Sequence, residues 1–214
     1  MSDLSYSEII VESAQKLFYA RGVHAVGMDE ISVAAGTSLK RLYKTFASKD
    51  AIVFAVITRW HEGWSAAIDS ATARVGDPRD RLLAVYDFFG AWFRSDGFRG
   101  CAFINTFGEL GGMSADIAAL TRNHKQSFQD QMARLVAEAG APSYLGPQLS
   151  ILVEGALTTA AIAGNPDAAG QARSAAEVLI DAAMSTAPNR ASCTGPGWSG
   201  CAVVDSAPAE ALLR

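Results

Sequence analysis

The chain has 214 residues, half of them hydrophobic and 19% charged, and a formal net charge of -4 at pH 7. This length and composition can bury a substantial core, and they exclude a collagen, a coiled-coil rod and a mostly disordered protein. The longest stretch without a charged residue, residues 139–153, is shorter than the roughly 20 residues of a transmembrane helix. Together with three cysteines and an acidic N-terminal segment, this predicts a reduced cytoplasmic protein without a membrane partner.

Apolar residues recur at helical spacing along most of the chain, and their segments predict an all-α fold of about nine helices. The first helix ends at Gly22, a residue suited to a left-handed C-cap. A short second helix is expected over residues 28–35, followed by a tight turn at Gly36. Ser38 is expected to cap a third helix and Ser48 a longer fourth one.

Five further helices are predicted after Pro78. In the segment 82–93 apolar residues cover most of the helix circumference, so this helix is expected to be enclosed by others. The remaining helices are expected over 101–110, 114–139, 147–163 and 167–187. The last two carry Ala, Gly, Thr and Ser on their apolar faces, which lets helix axes approach closely. The segment 188–214, rich in Gly and Pro, is predicted to be an irregular tail.

A compact basic segment stands out in this otherwise acidic chain. Lys40, Arg41, Lys44 and Lys49 lie within residues 40–49, which contain no acidic residue. A charged segment alone is as readily a solvated helix face as a binding site. Here, however, it follows two short helices separated by a glycine turn, which are the elements of a helix-turn-helix. The second helix of that motif can lie in the DNA major groove.

Each basic or polar residue of the third helix has an expected role on DNA. Arg41 can donate two hydrogen bonds to guanine, so we expect it to read a base. Lys40 suits either a base or a phosphate. The other expected contacts are to the DNA backbone, where phosphate binding fixes the position of the protein without reading sequence. These come from Tyr43, Lys44, Thr45 and Lys49.

The segment from about residue 7 to residue 57 resembles the tetracycline-repressor (TetR) family of bacterial transcription regulators. The similar residues include Ala14–Phe18, Arg21-Gly22, Met28–Ile31, Leu42-Tyr43 and Ser48-Lys49. The resemblance implies DNA-backbone contacts by Ser38, Tyr43 and Lys49, a helical effector domain, and a dimer on a palindromic operator. Four positions depart from the family pattern, namely Gly27, Thr37, Leu39 and Thr45.

We therefore expect a DNA-binding domain over residues 1–48 and an effector-binding and dimerisation domain over residues 49–187. The two small-residue helices at the end of the second domain are predicted to form the dimer interface. The candidate interface residues are Leu152, Gly155, Ala156, Thr159, Ala163, Ala176, Leu179 and Ala183. The alternative is that these faces pack only within one subunit.

An effector pocket needs apolar walls and a few polar groups that orient the ligand. Candidate aromatic and apolar lining residues are Trp64, Phe89, Trp92, Phe93, Phe103, Phe107, Met113 and Phe128. Three polar residues within apolar runs, Asn105, His124 and Glu154, either pair inside the protein or bind a ligand, because burying an unpaired polar group is costly. The sequence therefore predicts a repressor that a small, largely apolar or aromatic ligand releases from DNA.

Other functions find less support in the sequence. His24, His61 and His124 are far apart along the chain and form no metal-binding spacing, and Cys101 has no base beside it, so no enzyme, metal or cofactor is predicted. The alternative hypothesis is a helical protein-interaction or redox-sensing module without a small-molecule effector. Cys193 and Cys201 could form a disulfide, although free thiols are expected.

Overall fold

The computed structural model describes residues 5–186, and in that range it contains nine α-helices and no β-strand. The prediction of an all-α fold is confirmed. The helices are α1 (Tyr6–Arg21), α2 (Met28–Ala34), α3 (Leu39–Thr45), α4 (Lys49–Ala73), α5 (Pro78–Phe93), α6 (Ala102–Leu110), α7 (Ala115–Glu138), α8 (Leu145–Ala163) and α9 (Ala168–Thr186). The predicted tail over 188–214, with Cys193 and Cys201, lies outside the described residues.

Side-chain caps explain where most of these helices begin. Ser5 and Glu8 form a reciprocal capping box at the start of α1. The Oγ atoms of Ser38 and Ser48 accept backbone N–H groups in the first turns of α3 and α4, as the sequence predicted. Helix α5 begins four residues before the predicted segment 82–93, because Asp77 caps it and Pro78 occupies its first turn.

Helices α1 to α3 form a compact N-terminal layer that rests on the start of α4. Ile31 of α2 and Leu42 of α3 are completely buried, and they share one apolar core with Ile10 and Ala14 of α1 and Ile52 of α4. Gly36 joins α2 to α3 with φ +60°, a conformation that glycine adopts at little cost. This packing holds α3 with its basic side on the protein surface.

Helix α5 is the centre of the C-terminal part. It packs against α4, α7, α8 and α9, which confirms the prediction that it is enclosed on several sides. Its Tyr86 is almost completely buried and donates a hydrogen bond from its hydroxyl to the carbonyl of Leu149 at 2.9 Å. This buried hydrogen bond joins α5 to α8.

One described helix, Leu145–Ala163, is long and apolar enough to cross a membrane by length and composition alone. It is α8, and its buried residues include Leu149, Val153 and Leu157. It packs against α5, α7 and α9. A single helix of this kind is weak evidence for a membrane span, because core helices of water-soluble proteins pass the same test.

Candidate nucleic-acid interface and helical-domain sites

Helix α3 presents a polar face that is anchored from behind by one apolar side chain. Leu42 is fully buried under this helix, whereas Lys40, Arg41 and Lys44 are exposed. Ser38 accepts the N–H of Arg41 at 3.3 Å, which fixes the first turn of the helix. The prediction that these basic residues point outward is therefore confirmed.

The positive charge on this face has no acidic partner within the described chain. None of the ion pairs found between residues 5 and 186 involves Lys40, Arg41, Lys44 or Lys49. Lys49 is half-buried at the first turn of α4, close in sequence to the capping Ser48. Cations without an internal partner are available to phosphate groups.

Two side chains on this surface already have partners in the free protein. The guanidinium of Arg41 lies 4.0 Å from the ring centroid of Tyr6, a half-exposed residue at the start of α1. The hydroxyl of Thr45 donates to the carbonyl of Arg41 at 3.0 Å. Tyr6 was not among the predicted site residues, because only the packing of α1 beside α3 brings it to this surface.

The carboxylate of Glu109 joins the N-terminal layer to the helical domain, a contact that was not predicted from the sequence. Glu109 of α6 accepts the backbone N–H of Val23 at 3.0 Å and that of His24 at 2.7 Å. Gly22 has φ +86°, and a Cβ atom there would lie 2.9 Å from Oε1 of Glu109. Glycine is thus needed both for the backbone conformation and for this close approach.

A second pair of hydrogen bonds joins α1 to the segment before α6. The hydroxyl of Tyr19 donates to the carbonyl of Gly100 at 3.0 Å and accepts the N–H of Arg99 at 2.9 Å. Tyr19 and Glu109 thus join α1 and the loop that follows it to the two ends of the segment 99–109.

The predicted effector residues do not form a single pocket wall. Trp64, Trp92 and Phe103 line a cavity with a volume of about 600 Å³. Phe103 also lines, with Phe107, a second groove of about 400 Å³ between α6 and α7. Three of the others are buried core residues, Phe89, Phe93 and Phe128, while Met113 is largely exposed and lines neither space.

The three predicted polar residues each find a different partner, so they do not pair with one another. Asn105 is exposed and donates from Nδ2 to the carbonyl of Arg99 at 3.0 Å. Glu154 accepts from Nζ of Lys125 at 2.6 Å. The same Nζ lies 3.8 Å from the sulfur of Cys101. Burial raises the pKa of the Cys101 thiol, so this cysteine is predominantly in its protonated form.

Two of the histidines are in contact, although 63 residues separate them in the sequence. Nδ1 of His61 lies 3.1 Å from Nδ1 of His124, so one nitrogen donates and the other accepts. The ring of His124 also stacks on Phe103 with a centroid distance of 3.4 Å. Burial, reinforced by the positive charges of Lys125 and His61, lowers the pKa of His124 to about 3. Residues 5–186 contain no cluster of three or more side chains suited to a metal.

The predicted interface residues on α8 and α9 divide into two groups. Gly155, Thr159 and Ala163 are exposed, and Leu152 and Leu179 are half-buried. Ala156, Ala176 and Ala183 are instead buried among the subunit's own helices, where their small size lets α8 and α9 pack closely. Ile151, Ile162 and Val178 of the same two helices are also exposed and apolar, although they were not among the predicted interface residues.

Comparisons with known proteins agree with this geometry. Residues 10–56 match the family model described as bacterial regulatory proteins, tetR family. The chain is 36% identical over 84 residues, 39% of its length, to the HTH-type transcriptional activator FasR of Mycolicibacterium smegmatis. It is 33% identical over 115 residues, 52% of its length, to an uncharacterized HTH-type transcriptional regulator of Mycobacterium tuberculosis. These matches span only 38% and 57% of the two relatives.

The resemblance in structure extends over most of the chain. A TetR-family transcriptional regulator from Streptomyces coelicolor superposes with a TM-score of 0.76 at 26% identity, covering 82% of this chain and 94% of that one. Residues 10–56 therefore form a TetR-type DNA-binding domain, and the described residues share the fold of TetR-family regulators. Its relatives are transcriptional regulators and not enzymes, in agreement with the sequence prediction.

Proposed function

We propose that this protein is a cytoplasmic repressor that binds a palindromic DNA operator as a homodimer and is released by a small, largely apolar or aromatic ligand. The observation that carries the DNA-binding part is the exposed basic face of α3, which has no internal counter-charge and rests on the buried Leu42. In this assignment Arg41 leaves the ring of Tyr6 to read a base. Ser38, Tyr43, Lys44, Thr45 and Lys49 hold the DNA backbone, and Lys40 serves either role.

The exposed face of α8 and α9 supports the homodimer. Its surface residues include Ile151, Gly155, Ile162 and Val178, none of them charged. The charged residues of α9 point elsewhere, since Arg173 pairs with Asp87 and Asp181 with Arg79, both on α5. An uncharged, partly apolar face on two adjacent helices suits a twofold four-helix contact. Such a dimer places two copies of α3 about one DNA turn apart.

The hydrogen bonds that join α1 and the loop after it to α6 and the segment before α6 support release by a ligand. A ligand weakens DNA binding only when it prefers the conformation in which the two recognition helices are wrongly spaced. Helices α4 and α6 are the proposed transmitters. Helix α4 runs from Lys49 at the DNA face into the aromatic cluster of the helical domain, and Glu109 of α6 holds the loop between α1 and α2.

The proposal is tested by the salt dependence of binding to DNA from upstream of the protein's own gene. Neutralising about six to eight phosphates per dimer predicts a slope near -6 in a plot of log affinity against log salt. Fluorescence anisotropy of a labelled duplex measures this slope. A slope near zero would show that the basic face does not bind DNA.

Two variants separate base reading from backbone binding. We expect Arg41→Ala to reduce discrimination between DNA sequences, and Lys49→Ala to weaken binding to all sequences by a similar factor. Arg134→Ala is the control, because Arg134 pairs with Asp69, about 30 Å along α4 from Lys49 by the helical rise. Equal losses on every sequence for Arg41→Ala would refute its base-reading role.

A further inference from the structure

A cavity of about 600 Å³ lies between α1 of the N-terminal layer and helices α4, α5 and α6. Its walls come from α4, α5 and α6 on one side and from Gln15, Lys16 and Tyr19 of α1 on the other. From the sequence, the effector pocket was expected within the helical domain alone. The structure brings the first helix of the DNA-binding layer into contact with the same space.

The walls of this cavity are mainly aromatic. Trp60 and Trp64 of α4, Trp92 of α5 and Phe103 of α6 all line it. Their rings meet edge to face, with Trp64 and Trp92 centroids 4.9 Å apart and Trp60 and Phe103 centroids 6.4 Å apart. A volume of about 600 Å³ with such walls is within the range of small-molecule sites.

Two residues of this cavity each carry a buried polar atom without a partner. Oε1 of Gln15, an acceptor, and Nε1 of Trp64, a donor, are closed off from water and form no hydrogen bond. Within residues 5–186 the only other such side-chain atom is the hydroxyl of Thr37. Because proteins pair nearly all buried polar groups, two unpaired atoms on facing helices indicate a missing partner.

The charges at the rim favour an uncharged ligand. Arg59 and Glu62 are both exposed, carry opposite charges and lie one turn apart on α4. Lys16 is paired with Glu12 at 2.7 Å. The cavity therefore has no net charge left over for an ionic group, and its specificity depends on aromatic packing and the two unpaired atoms.

We propose that this cavity binds a flat, uncharged aromatic compound that carries one hydrogen-bond donor and one acceptor. The donor of the compound pairs with Oε1 of Gln15, and its acceptor receives the N–H of Trp64. Its rings pack against Trp60, Trp92 and Phe103. Both polar atoms are covered in the free protein, so the side chains of Gln15 and Trp64 move when the compound enters.

The proposal also assigns a route for regulation, and this part depends on the proposed function. Gln15 is on α1 and Trp64 on α4, and in this proposal a compound held between the two helices shifts α1 relative to α4. Helix α1 packs against α2 and α3, and its shift therefore reorients the recognition helix. By linkage, a compound that weakens DNA binding by some factor has its own affinity weakened by the same factor when DNA is bound.

The test uses isothermal titration calorimetry on the full chain with two matched probes. The first, 2-quinolone, has a ring N–H beside a carbonyl. The second, N-methyl-2-quinolone, keeps the rings and the carbonyl but lacks the donor. We expect Gln15→Leu to weaken 2-quinolone binding about tenfold, as the loss of one hydrogen bond implies, and to leave N-methyl-2-quinolone unaffected.

Two further variants complete the design. Gln129→Leu makes the same substitution at an exposed position on α7, and we expect it to change neither affinity. Ala67→Trp fills the cavity from its half-buried wall, and we expect it to abolish binding of both probes. Thermal unfolding of each variant establishes that it is folded, so a lost affinity reports on the site.

The outcomes distinguish this inference from the proposed function. Absence of 2-quinolone binding, or equal affinities in wild type and Gln15→Leu, overturns the site while the DNA assay stands on its own. Binding at the site by a protein that does not bind DNA refutes the proposed function and leaves the site in place. Binding to DNA that 2-quinolone does not weaken overturns the regulatory route.

Discussion

Acidification should destabilise this protein through one buried histidine. His124 is 3% exposed, contacts His61 and stacks on Phe103. Its pKa is lowered to about 3, mainly by burial, from an ordinary value of 6.5. Between these two values the unfolded chain binds a proton at this position and the folded chain does not. Stability therefore falls as the pH drops below about 6.5 and continues to fall toward pH 3.

The size of the effect follows from the difference between the two pKa values. At pH 5 the unfolded histidine is almost fully protonated, and the loss of unfolding free energy is about 2 kcal/mol. At pH 4 it is about 3 kcal/mol. Hydrogen bonds lower the pKa values of Glu8, Glu12 and Glu30, so these carboxylates stay ionised in the folded chain between pH 7 and pH 5. A variant at His124 separates the contribution of this residue from those of the other ionisable groups.

The assay is urea unfolding at pH 7 and pH 5 at one fixed protein concentration, because a dimer's stability depends on concentration. His124→Phe keeps a flat ring against Phe103 but cannot bind a proton. We expect this variant to lose far less stability than wild type between the two pH values. His24→Gln, at an exposed histidine, is the control and should behave as wild type does. An equal loss in wild type and His124→Phe would refute the reasoning.

Three other substitutions test the interfaces that the structure defines. Leu42→Ala empties a fully buried site behind α3, and we expect a loss of about 2 to 5 kcal/mol in urea unfolding together with weaker DNA binding, whereas Leu39→Ala, at a half-exposed neighbour, should cost less than about 0.5 kcal/mol. Glu109→Ala removes the acceptor of two backbone N–H groups, so thermal unfolding should show a loss of about 2 kcal/mol, and a stability unchanged from wild type would mean that water replaces the carboxylate. Gly155→Arg places a charge on the proposed dimer face at a position open to a side chain, and sedimentation velocity should then report a monomer, while Gly108→Arg, equally open on α6, should leave the dimer intact.

Local chemistry made the DNA-binding face predictable. The serines that begin α3 and α4, the glycine at the α2–α3 turn and the helical spacing of Leu42 act over a few residues, and the structure agrees with each of them. The segments after Pro78 were also recognisable as helices, although α5 and α8 begin earlier than expected because prolines are accepted in a first turn. The backbone hydrogen bonds and caps of a helix join residues that are close in the sequence, so the local residue pattern is enough to predict them.

The helical-domain site was less predictable. An aromatic residue on an apolar stripe has the same sequence signature whether it fills the core, as Phe89 and Phe128 do, or lines a cavity, as Trp92 does. Likewise, the polar residues Asn105 and Glu154 could be expected to need partners. The partners, Arg99 and Lys125, depend on how neighbouring helices are placed.

By itself the sequence determined the helices, their caps and the basic surface of α3, since these depend on residues within a turn or two of one another. Only the tertiary structure decided that His61 meets His124, that Glu109 holds the loop after Gly22, and that Gln15 faces the aromatic cavity. Such contacts join residues on different helices, and the rotation and crossing of each helix depend on the packing of the whole core.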